Sequence, residues 1–564
     1  MDRIARLTPF LSVTDQLTPE DVVRAAAMGF RAIVNNRPDG EAQEQPAGAS
    51  IETEAHRHGL DYRHIPVVSG QVSDTNVSDF AAAMGSLKGP VLAFCRTGTR
   101  STTLWALSQA PRLSPEAILH AAQEAGYNLE ALRDRLERAW LGEGHAATAR
   151  PGFAGTPSAT YDIVVVGGGA AGIATAASLK RRRPGLSIVV IEPNEHHFYQ
   201  PGWTLVGGGV FDSTKTDRAM ADVMPKGVSR IRAAVAGFEP EDNRVVLEDG
   251  VRIGYRVLVA APGIKLDWEA VEGLQETLGR NGVTSNYRFG MAPYTWDLVQ
   301  ALDGGEALFT QPPMPIKCAG APQKAMYLSC DQWQRKGTLG RTHVQFNNAG
   351  PVLFGVKEFV PPLMAYVEKY GIDLAFNSNL RAVDGPARKA WFDVKDAEGK
   401  VSRVEKPFDM IHVCPPQCSP DVVRKSPLAD AAGWIEVDKD TLQHVRFANV
   451  FGLGDAASAP NAKTAAAVRK QAPTVADNAL AVLDGKAPWR VYDGYGSCPL
   501  TVERGKIVLA EFGYGGKLLP TFPFLEPTKP SRLAWLLKEK LLPWIYWDLM
   551  LKGNEMLVKP ERLT

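Results

Sequence analysis

The chain has 564 residues, a length that predicts about two to four domains. Its 63 Lys and Arg residues balance 62 Asp and Glu residues, so the net charge of +1 gives no overall field that attracts nucleic acid. Six cysteines exclude a disulfide-stapled secreted scaffold and favour a reducing compartment. We expect neither a signal peptide nor a membrane span, because no apolar run has the required length and flanks.

Residues 1–140 predict a small α/β domain in which strand-like apolar runs alternate with helical segments. Within it, Cys95 and Arg100 lie in the run GPVLAFCRTGTRSTT, which predicts a strand, a tight loop and a helix start. Backbone N–H groups, the helix dipole and Arg100 would stabilise a thiolate and bind an oxyanion. The loop is one residue shorter than that of cysteine phosphatases and has the length used by rhodanese-type sulfurtransferases.

The function of this domain stays open between sulfur transfer at Cys95, phosphatase activity and non-catalytic docking. The length of the cysteine loop favours sulfur transfer. Asp39 and Glu41, in the run RAIVNNRPDGE, are the candidate acids that a phosphatase would need. This run and the cysteine loop resemble a small phosphatase-like family that is often joined to sulfur-oxidation modules. The resemblance implies a tyrosine-phosphatase-like α/β fold.

Residues 141–160 are rich in Gly, Ala, Pro, Ser and Thr and predict a flexible linker.

A dinucleotide-binding fingerprint begins the next region. A buried strand is followed by Gly167, Gly169 and Gly172, then by a helix and a second strand that ends in Glu192, about 20 residues further on. Gly167 permits the tight turn, Gly169 lets the backbone approach a pyrophosphate, and Gly172 lets helix and strand pack closely. Glu192 would accept a hydrogen bond from a ribose hydroxyl, while the helix N-terminus faces the phosphates.

Two later segments favour FAD over NAD. Pro262 and Gly263 end the run YRVLVAAPGI, which is typical of a second flavin-contacting strand and turn. Gly454 and Asp455 lie in VFGLGDAAS, where the aspartate would hold the ribityl chain. A second nucleotide site would carry its own glycine turn, and here that place holds PPMPIKCAGAPQK, with Cys318. A degenerate but working NAD site is the alternative.

Two distant cysteines are the strongest redox candidates. Cys318 and Cys498 would form a disulfide beside an electron sink if the tertiary fold brought them together, which suits taking two electrons from a sulfur nucleophile. Buried free cysteines are the alternative. Cys330, Cys414 and Cys418 are predicted to be structural, because no second cysteine or histidine pair lies nearby to complete a metal site.

Five motifs in this region point to one family: HHFYQPGWTLVGGG, PIKCAGAPQKAMYL, AGWIEVDKDTLQH, FGLGDAASAPNAKTAAAV and YDGYGSCPL. Together they resemble the sulfide:quinone oxidoreductases, in particular the subgroup containing the animal mitochondrial enzyme, from Tyr161 to Leu551. The resemblance implies two tandem Rossmann-like domains of the disulfide oxidoreductase flavoprotein type, non-covalently held FAD and a redox pair at Cys318 and Cys498.

The chemistry implied by this resemblance is attack of hydrosulfide on a Cys318–Cys498 disulfide, with the persulfide on the Cys318 side. Electrons then pass through FAD to ubiquinone, and the sulfane sulfur leaves to a low-molecular-weight thiol or sulfite. Lys317 and Lys324 flank Cys318 and would lower its pKa if they pointed inward; solvated surface positions are the alternative. Lys463 is a candidate for neutralising the reduced flavin or quinone.

The segment 531–553 is too short and too charged to span a bilayer and predicts a pair of interfacial helices. Its leucines, including Leu533, Leu536 and Leu541, would share an apolar face, while Lys538 would offer an outer basic contact. Helices packed on the protein's own core are the alternative. Because a quinone reductase must reach the membrane, we expect a peripheral, monotopic protein at the cytoplasmic face of a bacterial inner membrane.

The sequence therefore predicts an α/β protein with a sulfurtransferase-like domain at 1–140, a sulfide-oxidising, quinone-reducing flavoenzyme at 161–500 and a membrane-associating region at 501–564. Sulfane sulfur would pass through a thiol such as glutathione to Cys95 and then to sulfite. One alternative is a type II NADH:quinone oxidoreductase, which needs a second glycine turn and no redox cysteines. The other is a sulfide or persulfide sensor without turnover. The oligomeric state is not predicted.

Overall fold

The computed structural model describes residues 4–8, 11–87, 90–110, 115–140, 159–460, 462–522, 525–556 and 561–562. The chain divides into two compact units, Met1–Ala146 and Ala147–Thr564. Residues 141–158 of the predicted linker lie outside the described residues. Ala159 and Thr160, its last two residues, already belong to a strand.

The first unit is built on a five-stranded sheet. Its strands are β1 (Ile4–Arg6), β2 (Leu11–Thr14), β3 (Ala32–Asn35), β4 (Asp61–His64) and β5 (Val91–Phe94). Its helices are α1 (Pro19–Ala27), α2 (Gly48–Arg57), α3 (Asp74–Ser86), α4 (Thr99–Gln109), α5 (Pro115–Glu124) and α6 (Arg133–Trp140). The order is β1-β2-β5-β3-β4, with β1 antiparallel to β2 and the other neighbours parallel. Cys95 follows the buried strand β5 at its carboxyl end, where ligands bind in open α/β sheets.

The second unit contains the remaining elements. Its strands are β6 (Ala159–Val166), β7 (Ile188–Ile191), β8 (His196–Phe198), β9 (Asp217–Ala219), β10 (Ser229–Ile231), β11 (Val235–Glu239), β12 (Arg244–Leu247), β13 (Arg252–Ala260), β14 (Lys265–Leu266), β15 (Val283–Thr284), β16 (Gly305–Gln311), β17 (Thr342–Asn348), β18 (Asp373–Phe376), β19 (Ser378–Asp384), β20 (Lys389–Lys395), β21 (Val401–Pro407), β22 (Met410–His412), β23 (Gln417–Cys418), β24 (Val450–Gly452), β25 (Arg490–Val491), β26 (Gly496–Glu503), β27 (Lys506–Phe512) and β28 (Glu561–Arg562). Its helices are α7 (Ala170–Arg182), α8 (Trp203–Val206), α9 (Met220–Val223), α10 (Leu274–Thr277), α11 (Met291–Ala301), α12 (Ala321–Lys336), α13 (Val360–Tyr370), α14 (Asp421–Arg424), α15 (Ala465–Leu483), α16 (Arg532–Leu536) and α17 (Leu542–Trp544).

Two largely parallel sheets organise this unit. The first has the order β10-β7-β6-β13-β12-β11, and β24 also pairs with β13. The second has the order β15-β22-β16-β17-β18 and is parallel throughout. Parallel neighbours need a crossover connection, and α7 and α12 lie in the crossovers β6–β7 and β16–β17. This is the pair of Rossmann-like sheets that the sequence predicts.

A hairpin brings the distant parts of the second unit together. Strands β26 and β27 pair antiparallel, and β26 packs against α12. Cys498 lies in β26, while Cys318 lies in the turn before α12. The hairpin therefore bridges the long sequence separation between the two cysteines.

Residues 532–552 form one helical segment in which α16 and α17 alternate with π-helical turns and end in a 3₁₀ turn. Four large apolar side chains on this segment are between 38% and 54% exposed: Leu533, Leu536, Leu541 and Trp544. Within the described part of the chain, no helix combines the length and the apolar character that crossing a membrane requires.

Candidate functional site

The two candidate redox cysteines meet in the second unit. Cys318 Sγ lies 3.4 Å from Cys498 Sγ, and both are free cysteines. Cys318 has a left-handed backbone with φ 54°, and its N–H donates to the carbonyl of Lys463 at 2.9 Å. Gly320, two residues further on, is in close contact with the other cysteine, because a Cβ on it would lie 2.5 Å from Cys498 Sγ. A glycine at position 320 therefore allows the two sulfurs to approach.

A buried lysine sets the charge of this pair. Lys324 Nζ lies 3.1 Å from Cys318 Sγ and 3.8 Å from Cys498 Sγ. The hydrogen bond from Cys498 and the charge of Lys324 hold the pKa of Cys318 well below its usual value, despite burial. The same hydrogen bond and burial raise the pKa of Cys498. In the reduced pair, Cys318 is therefore the thiolate and Cys498 the thiol that donates to it.

The other two lysines near the pair behave differently. Lys317 Nζ donates to Gln200 Oε1 at 2.6 Å instead of pointing at a sulfur. Lys538 corrects the sequence prediction of an outer basic contact: it is 5% exposed and donates to Thr501 Oγ1 at 2.8 Å. Burial and the charge of Lys324 hold the pKa of Lys538 well below its usual value. No sequence signal indicates this position, because the residues that bury Lys538, such as Thr501, are distant in the chain.

The glycine loop after β6 has the shape of a dinucleotide cradle. A Cβ on Gly167, which has φ 99°, would collide with the carbonyl of Ala261, and a Cβ on Gly172 would collide with the carbonyl of Gly167. By contrast, a Cβ on Gly169 would meet nothing within 4 Å, so the loop is open on the side where helix α7 begins. These residues fit a pyrophosphate held at a helix N-terminus.

The remaining predicted cofactor residues surround this loop. Glu192, at the end of β7, accepts from the Gly168 N–H at 2.7 Å and from Asn194 Nδ2 at 2.6 Å. Pro262 and Gly263 follow β13, and Gly263 has φ 81°. The acidic Glu192 thus holds the glycine loop, and its predicted bond to a ribose hydroxyl stays a prediction.

The segment that contains Gly454 and Asp455 forms a 3₁₀ turn, and a lysine donates to its backbone. Gly454, with φ 71°, donates through its N–H to Gln471 Oε1 at 2.9 Å. Burial raises the pKa of Asp455. Lys463 Nζ donates to the Asp455 carbonyl at 2.7 Å and lies 4.0 Å from the ring centre of Trp434. Burial lowers the pKa of Lys463 to about 8. The ammonium of Lys463 is therefore engaged in holding this turn.

The remaining cysteines of the second unit are unreactive by position. Burial raises the pKa of Cys330 and of Cys418, and it raises that of Cys414 to about 12. Their thiols are therefore protonated at neutral pH, as structural cysteines would be.

In the first unit, Cys95 is fully buried at the start of its loop and Arg100 lies in the first turn of α4. Arg100 Nη1 and Nη2 donate to the two carboxylate oxygens of Glu41 at 2.7 and 2.8 Å. This hydrogen bonding, with that from Arg37, lowers the pKa of Glu41 to about 2 despite burial. Asp39 instead accepts from the Gly48 N–H at 2.8 Å, at the start of α2. Glu41 is ionised at neutral pH and holds no proton to donate.

The fold and the dinucleotide cradle are those of a flavin-dependent oxidoreductase. The description "Pyridine nucleotide-disulphide oxidoreductase" matches residues 161–289, and "Beta-lactamase hydrolase-like protein, phosphatase-like domain" matches residues 3–112.

Two curated relatives identify the family. The mitochondrial sulfide:quinone oxidoreductase of Mus musculus is 40% identical, over 70% of this chain and 87% of that protein. That of Dictyostelium discoideum is 42% identical, over 70% of this chain and 86% of that protein. The chain belongs to the sulfide:quinone oxidoreductase family. This confirms the resemblance and, with the two family descriptions, the fusion to a phosphatase-like domain.

A solved structure supports the fold. The sulfide:quinone oxidoreductase of Aquifex aeolicus superposes with a TM-score of 0.59 at 21% identity, over 71% of this chain and 97% of that one. The predicted α/β class with Rossmann-like domains after a phosphatase-like domain is confirmed.

The predicted location is wrong. We expected a bacterial inner membrane, whereas the relatives with 34% to 42% identity are mitochondrial enzymes of eukaryotes. The apolar C-terminal face, on which the expectation of membrane association rested, does not distinguish a bacterial from an organellar membrane.

Proposed function

We propose that the second unit oxidises hydrogen sulfide to sulfane sulfur at Cys318 and Cys498, with FAD as the bound flavin and ubiquinone as the electron acceptor. The observation that carries this proposal is the 3.4 Å separation of the two sulfurs beside the Lys324 ammonium. Gly167, Gly169, Gly172 and Glu192 would hold the dinucleotide, with Pro262, Gly263, Gly454 and Asp455 around the rest of it. FAD, when bound, supplies a two-electron acceptor for the dithiol and a donor for quinone.

The first step is a thiol–disulfide exchange. Hydrosulfide attacks one sulfur of the Cys318–Cys498 disulfide, the S–S bond breaks, and one cysteine leaves as a thiolate. The better leaving group is the cysteine whose thiolate is better stabilised, and Lys324 Nζ lies closer to Cys318 Sγ, at 3.1 Å, than to Cys498 Sγ, at 3.8 Å. We therefore place the persulfide on Cys498, in contrast to the Cys318 side that the family resemblance implied.

The second step removes the sulfane sulfur. A low-molecular-weight thiolate attacks the outer sulfur of the Cys498 persulfide, and Cys498 leaves as a thiolate. The products are a carrier persulfide and a reduced cysteine pair, which returns to the disulfide by giving up two electrons. Lys324 stabilises the anionic sulfur in both steps, because its ammonium lies within 4 Å of either cysteine.

The C-terminal region 501–564 would bring this site to a membrane. The exposed apolar face of Leu533, Leu536, Leu541 and Trp544 suits the boundary between headgroups and acyl chains, where ubiquinone is accessible. We therefore propose peripheral membrane association through this face.

In the first unit, within residues 1–140, we propose sulfur transfer at Cys95. Phosphatases need a protonated acid for the leaving group, and Glu41 is ionised by its pairing with Arg100. Sulfur transfer from a persulfide to Cys95 needs no such acid, because a thiolate is the leaving group. Sulfite would accept the sulfur from Cys95 to give thiosulfate.

An anaerobic flavin assay tests the central proposal. Purified protein is mixed with sulfide and then with a short-chain ubiquinone while flavin absorbance is followed, with NADH as a parallel donor. We expect sulfide to bleach the flavin, quinone to restore it, and Cys318→Ser or Cys498→Ser to abolish bleaching. Cys330→Ser is the control, because burial in α12 raises the pKa of this thiol and keeps it protonated at neutral pH. Bleaching by NADH with sulfide inert would refute the proposal and favour an NADH:quinone oxidoreductase.

A further inference from the structure

One buried histidine connects the glycine loop with the C-terminal segment. His197 Nδ1 lies 2.9 Å from the Gly168 carbonyl oxygen, and Nε2 lies 2.7 Å from Tyr546 Oη. Burial lowers the pKa of His197 to about 4, so the ring is neutral. A carbonyl oxygen can only accept, so Nδ1 carries the proton, and Nε2 accepts from the Tyr546 hydroxyl. A chain of two hydrogen bonds therefore runs from Tyr546 to the loop.

The peptide that receives this hydrogen bond is the one that would face a phosphate. The carbonyl of Gly168 and the N–H of Gly169 belong to the same trans peptide and point in opposite directions. Holding the carbonyl by His197 therefore aims the Gly169 N–H at the open side of the loop, where α7 begins. A hydrogen bond to the carbonyl also polarises the peptide and makes its N–H a better donor.

The same C-terminal segment also contacts α7 nearer its C-terminal end. Glu555 Oε1 accepts from Ser178 Oγ at 2.8 Å and pairs with Arg182 Nη1 at 2.5 Å. A Cβ on Gly553 would lie 2.7 Å from the backbone carbon of Ala177, so the two backbones are in close contact. Contacts at the loop and at three positions of α7 thus hold the segment to the dinucleotide-binding element.

We propose that residues 545–556 form a strap on the dinucleotide loop, with His197 and Tyr546 as positioning residues for the flavin phosphates. This inference rests on the flavin that the proposed function assigns to the loop. Flavin affinity then depends on a docked strap, and by linkage flavin binding stabilises the docked strap by the same factor. The strap continues directly from the exposed apolar face of 532–544, so the outward-facing surface and the flavin loop share one helical segment.

FAD titration of the flavin-depleted full-length protein tests the strap. Tyr546→Phe removes the donor but keeps the ring, and we expect the FAD dissociation constant to rise about three- to tenfold. His197→Asn places an amide N–H near Nδ1, whereas His197→Gln places its amide near Nε2. His197→Asn should therefore retain more affinity than His197→Gln, because it keeps the donation to Gly168. Tyr514→Phe, which loses a hydrogen bond to the Lys439 carbonyl, is the matched control and should leave FAD affinity unchanged.

Hydrogen exchange gives a second readout that needs no turnover. FAD should slow amide exchange in 545–556 of the wild-type protein, and Tyr546→Phe should weaken that protection. Normal FAD uptake with an unchanged dissociation constant in all three variants would overturn the strap alone. Amide exchange in 545–556 that is equally fast with and without FAD would also overturn the strap alone. A wild-type chain that takes up no FAD would instead overturn the proposed function together with the strap.

Discussion

A hydrogen bond from Cys498 and the ammonium group of Lys324 together decide which sulfur of the redox pair carries the negative charge. Lys324 is 4% exposed, and burial alone would lower its pKa, but the two cysteines outweigh burial and raise it. The lysine therefore stays charged, and its Nζ is closer to Cys318 than to Cys498. Because leaving-group acidity directs thiol–disulfide exchange, this asymmetry also directs where hydrosulfide attacks.

Replacing Lys324 by Gln should move the reactivity of Cys318 to higher pH. The low pKa of Cys318 depends in part on the lysine charge, so its thiolate fraction at neutral pH falls when that charge is removed. Each unit of pKa increase lowers the alkylation rate about tenfold below both pKa values. Iodoacetamide labelling of Cys318 in the reduced protein, followed by peptide mass spectrometry between about pH 5 and 9, measures the profile. Lys317→Gln should leave the pH profile of labelling unchanged, because Lys317 Nζ donates its hydrogen bond to Gln200 and not to a sulfur. A Lys324→Gln profile superimposed on the wild type would contradict this account.

At the scale of elements, the redox pair is the product of one close contact between the start of α12 and the β26–β27 hairpin. Gly320 lies at that contact, and a Cβ there would come within 2.5 Å of Cys498 Sγ. Gly320 lies at the start of α12 and Cys498 in β26, and these two elements are packed together. Such a clash can therefore be relieved only by moving a sulfur or the backbone.

Gly320→Ala should therefore separate the two sulfurs and block disulfide formation. A displacement of about 1 Å at reacting atoms costs on the order of 100-fold in rate, which is the expected loss in sulfide-dependent flavin bleaching. Thiol counting after oxidation should find two more free thiols than in the wild type. Gly340→Ala is the control, because a Cβ at that position would meet nothing within 4 Å. A variant that still forms the disulfide at the wild-type rate would refute the steric argument.

Some features of the fold were predictable from sequence because the residues that define them lie close together in the chain, within one element or one turn. The glycines before α7 and Glu192 after β7 lie within a single βαβ unit, so spacing alone defines them. The proximity of Cys318 and Cys498 depends on a hairpin docking against α12, which no local pattern encodes. Lys538 was misplaced for a similar reason: residue type suggested an outer position, whereas the partners that bury it, such as Thr501, belong to β26.

Packing also changes the interpretation of the candidate residues in the first unit. The loop spacing identified Cys95 and Arg100, and the sequence offered Glu41 as an acid. The bidentate pairing of Glu41 with Arg100 crosses 59 positions of the chain and could not be read from spacing. That pairing ionises the carboxylate and removes the acid that a phosphatase would need.

At the scale of the whole molecule, the proposed function would join two sulfur chemistries in one chain. In the proposed sequence, the second unit gives a persulfide of a small thiol, and Cys95 of the first unit takes sulfur from that persulfide. The carrier is diffusible, so the sulfur does not have to stay on the chain that formed it.

Two variants that each lack one step of thiosulfate formation should therefore complement each other in solution. Full-length Cys95→Ser can form glutathione persulfide, and full-length Cys318→Ser can pass sulfur from that persulfide through Cys95 to sulfite. With sulfide, glutathione, sulfite and a short-chain ubiquinone, we expect the mixture to form thiosulfate faster than the summed rates of the two variants alone. Cys330→Ser mixed with Cys318→Ser keeps Cys95 on both chains and a working redox pair on one, so it gives the rate of the unimpaired sequence. No gain on mixing, with each variant folded and flavin-loaded, would mean that sulfur is handed over within one chain or that Cys95 does not carry it.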